Sequence, residues 1–64
     1  MKFENEYIDE RDLSRLIKRA LSSIRNDRFK GQGVPFIKVG RSVRYSYSDA
    51  IAFMEQRKIK TDPI

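Results

Sequence analysis

Gly33-Val34-Pro35-Phe36-Ile37-Lys38-Val39-Gly40-Arg41-Ser42-Val43-Arg44-Tyr45 is the stretch on which the fold turns. It reads as two short strands joined by a Gly-Arg turn. A three-residue loop, Gly40 to Ser42, sets Val39 against Val43 and Ile37 against Tyr45. Those four residues then share one apolar face, because strand side chains alternate. The other face carries Lys38 across from Arg44, with Arg41 at the tip and no acid nearby. Like charges opposed in a ladder repel each other, so such a hairpin makes better sense with a polyanion lying against it. The competing reading is an ordinary solvated turn, since cations also guard strand edges against aggregation.

Charge along the chain favours the polyanion. The 64 residues hold 14 Lys+Arg and 9 Asp+Glu, a net +5, unevenly placed. Residues 1–10 carry −3, residues 11–30 carry +5, residues 31–47 carry +3, and residues 48–64 balance. A basic stripe confined to one structural unit, here the centre of the chain with its hairpin, is the electrostatic footprint of a nucleic-acid binder.

Composition removes most alternatives. The length suits a single domain, residues 1–64, with a small core and marginal stability. Without Cys there is neither disulfide nor thiolate, which fits a reducing, cytoplasmic setting. Without His, no zinc-finger, zincin or Ser-His site can be assembled. Asp9, Glu10, Asp12, Asp27, Asp49 and Glu55 show no motif spacing and read as caps and solvated helix faces. No phosphate-binding or dinucleotide-type glycine motif is present; Gly31, Gly33 and Gly40 fall at turns. No apolar run reaches the ~20 residues that span a bilayer, and the acidic start is unlike a signal peptide. The chain is therefore not expected to be an enzyme, to hold a metal or cofactor, or to bind membranes.

Outward from the hairpin the elements follow from local signals. Met1 to Glu6 is polar and reads as loose. Tyr7-Ile8 is a short apolar lead-in, and Asp9 is a good N-cap. Leu13, Leu16, Ile17, Ala20, Leu21 and Ile24 recur at helical spacing, with Arg11, Arg15, Lys18, Ser22 and Arg25 on the wet side. Two readings fit: one helix over residues 10–28, or two helices with a break near Lys18-Arg19-Ala20. Neither Gly nor Pro marks that break. Only Ser22-Ser23, residues suited to caps, supports a nearby start. Phe29 to Pro35 is a loop. Ser48 caps a last helix, with Asp49 in its first turn and Arg57 and Lys58 suiting its end. Ala50, Phe53, Met54 and Ile51 form its buried stripe, and Phe36 and Tyr45 join the core. Residues 60–64 read as a loose tail.

The order of elements is that of a winged helix-turn-helix, and here the residues resemble a family. Tyr7-Ile8-Asp9 leading to Leu13, Leu16 and Ile17 resembles the opening of the excisionase-like, MerR-like small helix-turn-helix proteins, among them the AlpA-type prophage regulators. So do Ala20 to Arg28, the hairpin, and Ser48-Asp49 with Ala50, Phe53 and Met54. The resemblance runs from about Tyr7 to Ile59. It implies a mainly α fold with a small β-hairpin: a helix-turn-helix at about 9–29, a wing at about 35–46 and a closing helix at about 48–58. It implies that the break is real and that Leu21 to Arg28 is the recognition helix. Lys18 stands where many relatives have the turn Gly, and Ala20 where many have a capping Ser.

The chemistry of the residues agrees with that role. In a major groove Arg suits guanine O6/N7 and Asn suits adenine N6/N7; Arg25, Asn26 and Arg28 supply that set. Ser22 and Ser23 can donate to phosphate, and Lys38, Arg41 and Arg44 on the wing can hold a phosphate run or enter a minor groove. Each taken singly is also an ordinary surface residue. The expected partner is double-stranded DNA, bound as an excisionase (a recombination directionality factor acting with an integrase) or as a small transcription regulator. The expected state is a monomer in solution that assembles cooperatively on DNA. The rival from another class is a small basic protein-interaction module that inhibits an acidic protein partner.

Overall fold

The computed structural model describes residues 6–59, as three helices and a three-stranded antiparallel sheet. The readings of residues 1–5 and of the 60–64 tail lie outside the described residues. In chain order the elements are β1 (Tyr7–Ile8), α1 (Glu10–Ile17), α2 (Leu21–Phe29), β2 (Ile37–Val39), β3 (Ser42–Ser46) and α3 (Tyr47–Gln56). The sheet order is β1-β3-β2. The apolar lead-in is thus a strand: Tyr7 pairs with Ser46 and Ile8 with Tyr45. Glu6 is tied down as well, its carbonyl accepting the Tyr47 N–H at 3.0 Å.

Asp9 starts α1 as its sequence position predicts. Its carboxylate accepts the Asp12 N–H at 2.8 Å, and the Asp12 carboxylate accepts the Asp9 N–H at 3.4 Å, a reciprocal capping box. The bond from the Asp12 N–H leads in holding the Asp9 carboxyl below its ordinary 3.8.

The long apolar repeat is two helices, and Lys18 is where it breaks. Lys18 lies in the left-handed region at φ 56, ψ 43, and the Arg19 N–H reaches back to the Ser14 carbonyl at 3.2 Å. This is the Schellman way of ending a helix, done here without glycine. The Ser14 hydroxyl locks the turn by donating to the Arg19 carbonyl at 2.7 Å. α2 then begins at Ala20, which has no side-chain cap.

The hairpin departs from the expected register. Ile37 pairs with Arg44, Lys38 with Val43 and Val39 with Ser42, so the loop is two residues, Gly40-Arg41. Gly40 has φ +60 and Arg41 does not share the positive sign, as in a type II′ turn, whose twist suits the strands it joins. The one-residue shift turns β2 over. Lys38 stands on the face of Val43 and Tyr45, whereas Ile37 and Val39 share the outer face with Arg44. Hence Lys38 and Arg44 are not opposed, and the repulsion expected between them does not arise. Ile37 is 44% exposed and Val39 62%. Tyr45 keeps its place beside Ile8 in the core through the β1–β3 pairing, and the shift reverses β2 alone.

That core comprises Ile8, Leu13, Ile17, Ile24, Val34, Tyr45 and Ala50, with Leu16, Val43 and Phe53 packed against it. Four expectations for the last helix and its neighbours change. Ser46, not Ser48, precedes α3; neither serine caps it through the backbone, and their hydroxyls bond each other at 2.9 Å. Met54 and Ile51 are exposed, leaving Ala50 and half-buried Phe53 as the inward stripe. Phe36 is exposed rather than buried, and Phe29 ends α2 instead of opening the loop. Arg57 closes α3 as its charge suggests, donating to the Phe53 carbonyl at 3.2 Å with its guanidinium 3.6 Å from the Phe53 ring centroid.

Candidate functional site

The first turn of α1 sits between α2 and the hairpin, and this placement organises the cationic surface. Glu10 is the first helical residue after the cap, so its side chain is carried by a rigid turn. Its carboxylate takes two arginines from α2. Arg25 donates through Nη2 at 2.6 Å and through Nε at 3.2 and 3.3 Å, and Arg28 through Nη1 at 3.3 Å. Hydrogen bonding from Arg25 is the main reason the Glu10 carboxyl falls below its ordinary 4.5. Arg25 is raised in turn by the same bond.

Arg28 is the more deeply held of the two. Its Nη1 also donates to the Tyr45 hydroxyl at 2.8 Å, and its guanidinium lies 5.9 Å from the Phe36 ring centroid. The Phe36 and Tyr45 rings meet at 57° with centroids 6.4 Å apart. Arg28 therefore joins α2 to α1 and to β3, and the bond to Tyr45 leads in raising it.

A groove runs from this hub to the hairpin, lined by Asp9, Glu10, Arg11, Arg28, Arg41, Ser42, Val43 and Arg44. Of the sequence-predicted residues, the structure brings Arg28, Arg41 and Arg44 to this groove and Arg25 beside it through Glu10. Ser22 and Ser23 lie in the first turn of α2 and Asn26 on its exposed side. Lys38 projects from the other side of the hairpin relative to Arg44. Two participants escaped the sequence reading. Arg11 lines the groove although spacing marked it only as a wet-side residue. Glu10 anchors two arginines 15 and 18 residues away, and no local pattern signals such a pairing.

Another side of α2, between the two arginines in sequence, is built differently. Asp27 takes Arg19 through Nε at 2.9 Å and Nη2 at 3.2 Å, bracing the turn between the helices. Asp27 also packs against Gly33, where an added Cβ would stand 2.9 Å from the Asp27 Cβ. No group of acids among the described residues is placed to hold a metal ion, and no described helix is long and apolar enough to cross a membrane.

No family model, curated protein or solved structure matches the chain.

Proposed function

We propose that the chain is a winged helix-turn-helix protein that binds double-stranded DNA, with α2 as the recognition helix and the β2–β3 hairpin as the wing. The observation that carries this reading is the groove where Arg11, Arg28, Arg41 and Arg44 converge from α1, α2 and the hairpin. Four arginines from three elements outnumber Asp9 and Glu10 in the same lining, and a channel of net positive charge suits a phosphate run, which attracts Lys and Arg whatever the sequence. Arg25 and Asn26 on the outer side of α2 are the residues for base edges in the major groove. Ser22 and Ser23, at its start, suit phosphate.

The sequence resemblance to excisionase-like and AlpA-type regulators supports the same function: control of recombination or of transcription. One such module offers about 600–1,000 Å² to DNA, low for a unique address, so several copies on adjacent sites would share the task. Selection from a random duplex library, followed by a salt titration on the winner, tests the reading. A defined site is expected, with affinity falling steeply as salt rises. Arg41→Ala and Arg44→Ala should each lower the salt slope by about one while leaving base preference intact. Failure of the wild-type chain to bind any duplex at low salt refutes the proposal.

A protein partner is the second reading, and one observation favours it. β2 is an edge strand carrying exposed Ile37 and Val39, with exposed Phe36 before it. Such an edge can accept a partner strand through its backbone.

A further inference from the structure

Arg25 has two hydrogen-bonding edges, and the structure uses only one of them. Glu10 occupies the Nε–Nη2 edge, with Nη2 at 2.6 Å and Nε at 3.2 Å. No described residue hydrogen-bonds to Nη1, and the hydrogen of Nη2 that points away from Nε lies on the same open edge. The side chain is about half exposed, so this second edge faces solvent on the outer side of α2. Glu10 itself is held at both ends. Its backbone follows the Asp9–Asp12 capping box, and its Oε1 takes the firmly anchored Arg28.

We propose that Glu10 is a positioning residue for base recognition, fixing the guanidinium plane of Arg25 so that its Nη1–Nη2 edge is presented to one guanine. This rests on the duplex-DNA reading above. A guanine offers O6 and N7 as paired acceptors in the major groove, and the end-on edge of a guanidinium matches them with two parallel bonds. An unheld arginine loses several rotatable bonds on docking, whereas one already clamped loses little; preorganisation therefore adds to discrimination.

The test compares the wild type with Glu10→Ala, Glu10→Gln and Arg25→Ala by selection from a random duplex library, then by anisotropy on the selected site and on its single-base variants. Arg25→Ala should lose preference for guanine at one position. Glu10→Ala should lose preference at that same position, by about tenfold, while binding to unselected duplex holds or tightens. Glu10→Gln keeps an acceptor oxygen for Arg25 and should retain part of the preference. A purely structural Glu10 would lower affinity for every sequence alike and leave the guanine preference intact; that result overturns the proposal. Relaxation of the Arg25 Nε–H in the wild type gives a check that needs no variant. It should be nearly as rigid as the backbone, and a freely rotating Nε–H overturns the proposal too. A wild-type chain that binds no duplex removes the DNA reading itself, an outcome distinct from a guanine preference that survives Glu10→Ala.

Discussion

Arg28 donates from Nη1 to the hydroxyl of Tyr45 at 2.8 Å, joining α2 to the central strand. Tyr45 is buried, and its hydroxyl is the polar end of a core side chain. Truncating Arg28 leaves that hydroxyl without a partner and Glu10 with Arg25 alone. A buried hydroxyl left unmatched costs about 1–3 kcal/mol. Arg28→Ala should therefore lower the urea midpoint, and Arg28→Lys should recover little of it because a single ammonium cannot serve Tyr45, Glu10 and the Phe36 ring in one geometry. If Arg28→Ala leaves stability untouched and abolishes one base preference instead, Arg28 reads DNA directly and its structural role is overstated.

The turn at Lys18 and the start at Ala20 are both locally suboptimal. A non-glycine residue in the left-handed region costs about 1 kcal/mol, and an uncapped helix start forgoes a similar amount. Lys18→Gly and Ala20→Ser should each raise stability by about 0.5–1 kcal/mol in urea unfolding. The two changes sit in one short turn, so their sum need not be additive. Lys18→Pro should instead unfold the chain, because proline cannot adopt φ 56 and lacks the N–H that bonds Ser14.

Gly33 passes close against Asp27 of α2. It lies at φ +90, and a Cβ there would come within 2.9 Å of the Asp27 Cβ. Asp27 is on a helix and held by Arg19, so it has little room to retreat. Gly33→Ala should destabilise the chain by about 1–3 kcal/mol. Gly40→Ala meets no neighbour within 4 Å, and its cost is that of positive φ alone. Thermal unfolding of the two variants side by side separates strain with a clash from strain without one.

Acid should loosen the molecule through Glu10 and Asp9. Both have folded-state carboxyls held below their ordinary values of 4.5 and 3.8. The stabilisation they provide is complete above those ordinary values and is lost as pH falls through the lower, folded ones. Urea midpoints should be flat near neutrality and decline once pH drops below about 4.5. Glu10→Gln should flatten the upper part of that decline.

The elements of this protein are written in its local sequence. Asp9 before an apolar repeat, two glycines and a proline after Phe29, and a Gly-Arg pair between Val39 and Ser42 each act over a turn or less. Such signals are legible because the groups that satisfy one another are neighbours along the chain. The cationic balance of residues 11–47 was legible for the same reason, being a property of composition. Other features were decided only in three dimensions. Periodicity cannot distinguish one helix from two, and packing two short helices on a small core holds Lys18 in a conformation it does not prefer. The pairing of Tyr45 with Ile8, 37 positions earlier, which seats the central strand in the core, has no local signal either. The pairing of Arg25 and Arg28 with Glu10 likewise depends on where α1 meets α2. Contacts between residues far apart in sequence leave no spacing to read, and they decide which arginines brace the fold and which face outward.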